Sequence, residues 1–201
     1  NAAANNTAVG SSALAANTTG TANTALGFRA LDANVTANNN TAIGDNALGS
    51  NTVADNTAVG FYAMLGNTTG RINTAVGRSA MQANTTGGDN SAFGGLALDA
   101  NTTGGSNTAL GYAALSANTT ASNNTAVGSS ALLSNTTATD NVAVGALALK
   151  DNTTGSQNTA VGRYAAQNVT TGTFNTAVGY EALDTATSAS YNVTFGVYSG
   201  R

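Results

Sequence analysis

Carboxylates are the residues of this chain best suited to acid–base chemistry, but their spacing along the sequence shows no recurring pair. Two carboxylates can catalyse proton transfer only where both lie within hydrogen-bonding reach of one substrate. Lys150 and Asp151 are adjacent, yet no second carboxylate accompanies them in that stretch. The pattern therefore gives no candidate catalytic residue. The nine carboxylates are Asp32, Asp45, Asp55, Asp89, Asp99, Asp140, Asp151, Glu181 and Asp184.

Nucleophilic catalysis and metal binding lack their usual residues. The chain has no His, no Cys and a single Lys, so its Ser and Tyr hydroxyls have little to activate them. Cys and His are also the ligands that transition metals prefer. Calcium-binding glycine repeats need Gly-Gly-x-Gly-x-Asp, which Gly87-Gly88-Asp89 and Gly104-Gly105 approach without matching. The sequence therefore predicts a protein that is not an enzyme and that holds neither cofactor nor metal.

Charge and hydropathy exclude two further classes of partner. Only 7% of the 201 residues are charged, and the six basic residues are too widely separated to neutralise the phosphates of a nucleic acid. No apolar run approaches the roughly 18 residues that a membrane-spanning helix needs. The chain starts at Asn1 without an initiator Met or a signal-like segment, which indicates a processed or excised piece. We predict neither a nucleic-acid partner nor a membrane span.

Asn-x-Thr sequences are a frequent motif of the chain and would suit a glycosylated, secreted protein. A structural alternative is that a recurring Asn-Thr-Thr-Gly turn generates the motif automatically. The two explanations stay open here. A measured intact mass equal to that of the unmodified polypeptide would exclude glycosylation, and a larger mass would support it. The candidate glycosylation sites are Asn17, Asn67, Asn84, Asn101, Asn118, Asn135 and Asn152.

A 17-residue repeat runs through the whole sequence and organises all of these residues. Its consensus is Asn-Thr-Ala-Val-Gly-x-x-Ala-Leu-x-x-Asn-Thr-Thr-Gly-x-x, numbered here as positions 1 to 17. One repeat, between Asn40 and Asn56, has 16 residues. A fixed period predicts a single elongated domain over residues 1–201, whose stability adds up from coil to coil. Position 1 is Asn6, Asn23, Asn40, Asn56, Asn73, Asn90, Asn107, Asn124, Asn141, Asn158, Asn175 and Asn192.

Each repeat is predicted to form one coil of a parallel β-solenoid of the β-roll kind, an all-β fold of about twelve coils. A helix is excluded because the unit fixes Asn, Gly and paired Thr, which are poor helix formers. Thr-Ala-Val at positions 2–4 and x-Ala-Leu at positions 7–9 predict two short strands. Gly at position 5 and Asn-Thr-Thr-Gly at positions 12–15 predict two turns. Coils stacked about 4.8 Å apart would give a rod of roughly 55 Å.

The Asn columns have a structural role in such a stack. An Asn amide donates and accepts at once, so its copies in successive coils predict a ladder of side-chain hydrogen bonds at position 1. A second ladder is predicted at position 12, from Asn17 to Asn152. It moves to Asn168 in the next repeat and is lost at Ala186.

The apolar columns have a consequence for assembly. Neighbouring strand residues point to opposite faces, so Ala at position 3 opposes Val or Leu at position 4, and Ala at position 8 opposes Leu at position 9. The sequence leaves open which set lines the coil interior. The other set forms an exposed stripe, which favours packing between chains and hence a homo-oligomer.

The repeated phrase Asn-Thr-Ala-Val-Gly-x-x-Ala-Leu resembles the head repeats of trimeric autotransporter adhesins (YadA-like heads) and related β-roll segments of phage and bacterial fibres. The matching residues are the Asn-x-Ala-x-Gly core and the following x-x-Ala, over essentially the whole chain. The Asn-Thr-Thr-Gly turn lengthens the unit relative to the shortest repeats of that family. The resemblance implies a left-handed β-roll, a homotrimer, and an extracellular or cell-surface role with a host or cell-surface ligand.

The predicted function is therefore that of an extracellular structural or adhesive solenoid, a surface fibre or adhesin head. One alternative is a filament subunit, because residues 1–5 match the second part of a coil and residues 192–201 match the first part. Another is ice binding by the Thr column at position 2, which Ser91, Val142 and Val193 interrupt. The candidate ligand contacts, at positions 6 and 7, are Phe28, Phe61, Tyr62, Tyr112, Tyr164 and Tyr180.

Overall fold

A computed structural model describes residues 3–200 and shows one short strand in every repeat. Each strand occupies positions 2–4, where Thr and Val favour an extended backbone, and ends before the Gly at position 5. No helix occurs within residues 3–200. Asn1, Ala2 and Arg201, which belong to the predicted joint between filament copies, lie outside the described residues. The strands are β1 (Thr7–Val9), β2 (Thr24–Leu26), β3 (Thr41–Ile43), β4 (Thr57–Val59), β5 (Thr74–Val76), β6 (Ser91–Phe93), β7 (Thr108–Leu110), β8 (Thr125–Val127), β9 (Val142–Val144), β10 (Thr159–Val161), β11 (Thr176–Val178) and β12 (Val193–Phe195).

The strands form a single parallel sheet in chain order, from β1 to β12. Pairing is in register, so that Ala75 of β5 lies beside Ala92 of β6. The 16-residue repeat keeps this register, because Thr41 of β3 pairs with Thr57 of β4. The predicted parallel β-solenoid is confirmed, and each coil is one repeat. The handedness implied by the resemblance stays a prediction.

The prediction of a second strand at positions 7 to 9 is wrong. In the coil of β6, Leu96 and Leu98 have φ angles of 59° and 55°, in the left-handed region. The amide of Ala97 donates to the carbonyl of Gly94, and the amide of Asn101 donates to the carbonyl of Leu98, both at 3.2 Å. This half of the coil therefore consists of two consecutive tight turns. The same left-handed angles recur at positions 7 and 9 in the other coils.

Because this segment turns, its two apolar residues both point into the coil and do not oppose each other. Ala97 and Leu98 are completely buried, as is Ala92 of β6. Phe93, the other apolar residue of that strand, is 40% exposed. The interior is thus lined by Ala at position 3, Ala at position 8 and Leu at position 9. Position 4 is the apolar column that faces outward.

Glycine at position 5 is required by the backbone. Gly77 has a φ of +137°, a conformation that residues with a side chain rarely adopt. A β-carbon at Gly77 would also lie 2.5 Å from the carbonyl carbon of Gly94 in the next coil. Both constraints recur along the stack, which explains why position 5 is Gly in all twelve repeats.

Candidate interaction surface

Two asparagines and one backbone carbonyl form the polar part of the interior in the coils of β1 to β9. In the coil of β6, the Nδ2 atoms of Asn90 and Asn101 both donate to the carbonyl oxygen of Gly104, each at 2.9 Å. All three residues are buried. The carbonyl has two lone pairs, and the two amides satisfy both of them without solvent. Positions 1, 12 and 15 are therefore tied together inside the coil.

The asparagines also bind from coil to coil. At position 12, Nδ2 of Asn101 donates to Oδ1 of Asn84 at 2.8 Å, and Nδ2 of Asn118 donates to Oδ1 of Asn101 at 2.9 Å. At position 1 the dominant bond is different, because Oδ1 of Asn90 accepts the backbone N–H of Asn107 at 2.9 Å. The buried asparagine ladder is confirmed. Apart from the Oδ1 atoms of Asn34 and Asn152, its buried donors and acceptors are engaged by the fold, so these residues have a structural role.

The position-12 ladder is interrupted at the 16-residue repeat. Nδ2 of Asn51 donates to the carbonyl of Val53 at 2.7 Å and does not reach Asn34. Oδ1 of Asn34 is consequently buried without a hydrogen-bond partner among the described residues. The missing residue thus lies in the turn after Asn51, and it breaks the ladder while leaving the sheet intact.

A second interruption occurs where the ladder was predicted to move to Asn168, and that prediction is wrong. Val169 occupies the buried place at position 12, and Oδ1 of Asn152 in the preceding coil has no partner within residues 3–200. Asn168 lies outside the interior, where its Nδ2 donates to Asp184 at 3.2 Å. Position 12 of the coil is therefore buried whether the residue there is Asn or Val.

All seven candidate glycosylation sites are ladder residues at position 12. The Nδ2 atom of Asn101, for example, is buried and makes two hydrogen bonds. Asn17 in the first coil is the one site of the seven that is half-buried. Three other Asn-x-Thr asparagines, Asn5, Asn39 and Asn123, lie at position 17 and are exposed. The completely buried candidate sites are Asn67, Asn84, Asn101, Asn118, Asn135 and Asn152.

The side chains at positions 2 and 4 of β1–β12 form a continuous surface, termed the outer strand face. Its Thr column is mostly half-buried between neighbouring coils. Its apolar column is more exposed, with Leu26 at 46% and Leu110 at 49%. Neither column contains a charged residue in any of the twelve strands. This face is the exposed apolar stripe that the alternation of the strand predicts.

The predicted contact aromatics border the outer strand face, on the turn after Gly at position 5. They do not converge on one site, since Phe28 and Tyr112 belong to coils far apart along the rod. Two of them are neighbours in sequence and stack, with 3.9 Å between the ring centres of Phe61 and Tyr62. Phe28, Phe61 and Tyr112 are exposed, whereas Tyr62, Tyr164 and Tyr180 are half-buried.

Five exposed aromatic residues, among them Phe93 at position 4 of β6, were missing from that prediction. Phe174 and Tyr191 lie at position 17, where their rings stack with 5.0 Å between centres. Phe195 lies at position 4, and Tyr198 at position 7 of the last coil. The sequence did contain a signal for position 17, because Asp at the same position in other repeats marks that column as solvent-facing.

Charged contacts are few and lie at the surface. Oδ1 of Asp55 accepts from Nδ2 of Asn39 at 3.1 Å, and Oδ2 accepts from Nη2 of Arg71 at 2.9 Å. These hydrogen bonds, that of Asn39 first, hold the pKa of Asp55 below its ordinary value. Partial burial raises the pKa of Asp184. Both contacts of Asp55 join neighbouring coils, whereas Lys150 and Asp151 pair at 3.3 Å within one coil, and none of these contacts assembles a reaction site.

Residues 3–200 form no pocket, and no three of their potential metal-ligating side chains come together. In this part of the chain, no helix has the length and apolar character required to cross a membrane. Searches against protein-family models, curated proteins and solved structures found no match. The candidate functional site is therefore a surface, the outer strand face together with the aromatic residues beside it.

Proposed function

We propose that this chain is an extracellular structural or adhesive rod that assembles with copies of itself through the outer strand face. The observation that carries the proposal is the apolar column at position 4, which faces solvent from β1 to β12 in a single chain. An uninterrupted apolar stripe of this length is typical of a protein interface. The repeats that this sequence resembles also assemble side by side, which supports the same conclusion.

Burial of the outer strand face would stabilise an oligomer in two ways. Each Å² of apolar surface removed from water contributes about 25 cal/mol. The absence of charge from both columns means that no ion has to be desolvated when two rods meet. Because all coils have the same spacing, contacts made at one coil recur at every other coil. A closed, symmetric oligomer is the arrangement that uses such a surface fully.

The exposed aromatic residues support an adhesive role at the remaining surface. Phe28, Phe61 and Tyr112 lie outside the strand columns and are exposed in the single chain. Aromatic rings are enriched in contact surfaces because they bury a large area with few rotatable bonds. The partner that fits them is a host or cell-surface ligand.

The proposal is tested by placing a charge in the stripe. Leu110→Asp introduces a carboxylate at position 4, and Ser129→Asp introduces the same charge at position 6, an exposed site outside the stripe. We expect sedimentation equilibrium to give a discrete oligomer for the wild type and Ser129→Asp, and a monomer for Leu110→Asp. Circular dichroism should be the same for all three chains. A wild-type chain that sediments as a monomer at high concentration would exclude assembly.

The same experiment distinguishes the filament alternative. Head-to-tail growth gives an open-ended series of sizes that increases with concentration, since such contacts do not close. Leu110 lies in the middle of the rod, so Leu110→Asp should leave that series unchanged. A series of this kind would replace lateral assembly by end-to-end assembly as the mode of fibre formation.

A further inference from the structure

Three tyrosines from three successive coils form a row on the turn after Gly at position 5. Tyr164 lies in the coil of β10, Tyr180 in that of β11 and Tyr198 in that of β12. The ring centres of Tyr164 and Tyr180 are 6.0 Å apart, and those of Tyr180 and Tyr198 are 5.5 Å apart. The rings meet edge to face, at 80° and 83°. The edge of one phenol ring therefore lies against the face of its neighbour, so the phenol rings of successive coils are adjacent.

The row is both held in place and open to solvent. Nη2 of Arg163 donates to the hydroxyl oxygen of Tyr164 at 2.7 Å, and its guanidinium carbon lies 4.4 Å from the centre of the same ring. Tyr198 is 50% exposed, and the other two are half-buried. The phenols are thus accessible from solvent, while the coil stack keeps them side by side.

The remaining tyrosines lack this arrangement. Tyr62 stacks on Phe61, and Tyr191 stacks on Phe174, so each has a phenylalanine as its ring partner. Tyr112 makes no ring–ring contact with another described residue. The row centred on Tyr180 is consequently the one place among residues 3–200 where two phenols are adjacent.

We propose that the row Tyr164–Tyr180–Tyr198 is a site of oxidative tyrosine cross-linking, in which a peroxidase and hydrogen peroxide join two successive coils covalently. Each of two phenols loses one electron and one proton to the oxidised haem. The two radicals couple through a new carbon–carbon bond between carbons next to the hydroxyl-bearing ones. The hydrogens on those two carbons then move to the two oxygens, which restores both phenols. Hydrogen peroxide accepts the two hydrogen atoms and becomes two molecules of water.

The bond would fix the last described coils of the solenoid. In a stacked array each coil contacts only its neighbours. A link from Tyr180 to either neighbour ties two coils together and limits the separation of their strands. A covalent cross-link of this kind suits a fibre outside the cell. Disulfides could stabilise such a fibre in the same way, but the chain has no Cys.

The experiment treats the full chain at low concentration with horseradish peroxidase and hydrogen peroxide. We expect dityrosine fluorescence, a chain that migrates as a single polypeptide under denaturing conditions, and a mass lower by two hydrogen atoms. Peptide mapping should place the link between Tyr180 and either Tyr164 or Tyr198. Hydrogen exchange in residues 158–200 should be slower than in the untreated chain.

Matched variants decide the assignment. Tyr180→Phe keeps the ring and its packing but removes the shared phenol, and we expect it to abolish the intramolecular product. Tyr112→Phe removes an isolated phenol and should leave the yield unchanged. Equal yields from wild type and Tyr180→Phe, exclusively intermolecular products, or no product at all would overturn the proposal.

Discussion

Two glycines of the same coil, Gly94 and Gly104, differ in whether the backbone conformation requires glycine. Gly94, at position 5, has a φ of +139°, and a β-carbon there would lie 2.4 Å from the carbonyl oxygen of Gly111. A β-carbon at Gly104, at position 15, would meet the carbonyl oxygen of Ala121 at 2.2 Å, but Gly104 has no positive φ. Ala121 itself occupies position 15 of the next coil. Position 15 can therefore adjust to a methyl group, whereas the left-handed backbone at position 5 cannot.

This difference predicts opposite tolerance to alanine. We expect Gly94→Ala to lower the free energy of unfolding by ~2 kcal/mol or more, from backbone strain and the contact with the next coil. Gly104→Ala should stay within about 1 kcal/mol of the wild type, because it reproduces a residue that other coils already contain. Denaturant titration followed by circular dichroism measures both. An equal loss of unfolding free energy in the two variants would show that the close contact with the next coil, and not the backbone conformation, makes alanine unfavourable.

Asp184 provides a prediction about pH. Burial raises the pKa of its carboxyl group, so the folded chain binds the proton more tightly than the unfolded chain does. The contribution of Asp184 to stability is thus fully present below the unfolded pKa and is lost as pH rises through the folded pKa. Asp184→Asn keeps an acceptor for Nδ2 of Asn168 but does not titrate. We expect the variant to melt at a higher temperature than the wild type at neutral pH.

The comparison at acidic pH is the control for this prediction. Below the unfolded pKa both chains have an uncharged side chain at residue 184, so their melting temperatures should converge. An advantage of Asp184→Asn that persists unchanged in acid would indicate a packing effect unrelated to ionisation.

At the scale of the coil, the strand was predictable and the turn was not. Thr74-Ala75-Val76 lies between an Asn and a Gly and reads as extended from its β-branched residues. Leu98 instead adopts a left-handed φ, against the preference of every L-residue with a side chain. That conformation is imposed by hydrogen bonds to neighbouring coils, such as the bond from the amide of Leu98 to the carbonyl of Ala114 at 3.0 Å. A window of sequence carries no signal for such bonds.

The candidate surface, like the coil, was only partly predictable from the sequence. Solvent exposure at positions 6 and 7 was predictable, because Arg29 and Asp45 share those columns with Phe28 and Tyr112. The choice between the Ala and Val columns was not, since both are apolar and alternate within one strand. The deciding factor is space, because the interior already contains Leu at position 9 and the amides of positions 1 and 12. Position 3 is accordingly the small Ala in eleven of the twelve repeats, with Thr194 of β12 as the exception.

The 16-residue coil gives a prediction at this scale. Insertion of one Thr between Thr52 and Val53 would restore the full turn and bring Nδ2 of Asn51 within reach of Oδ1 of Asn34. Oδ1 of Asn34 now has no partner among the described residues. A hydrogen bond to this buried acceptor should raise the free energy of unfolding by about 1–3 kcal/mol. The same insertion after Thr102, where the ladder is complete, should be neutral or destabilising. Chemical denaturation of both variants tests this.

The whole molecule is a one-dimensional stack, in which each strand pairs only with the strands before and after it in the chain. Stability in such a stack is the sum of coil and interface contributions. The middle of the rod, around β7 and β8, repeats the same register and the same Asn bonds on both sides. No coil there has a unique partner, so the length of the molecule is not fixed by its packing.

Removal of one complete coil should therefore be tolerated. Deletion of residues 107–123 joins position 17 of one repeat to position 1 of another, and it places Asn135 above Asn101 as a new ladder partner. We expect a folded rod, one coil shorter, with a proportionally smaller denaturant m-value because less surface is exposed on unfolding. Deletion of residues 107–114 removes half a coil, brings a turn into the strand column and should prevent cooperative unfolding. Loss of structure in the full-coil deletion would show that the central coils are not interchangeable, and that stability depends on contacts beyond nearest neighbours.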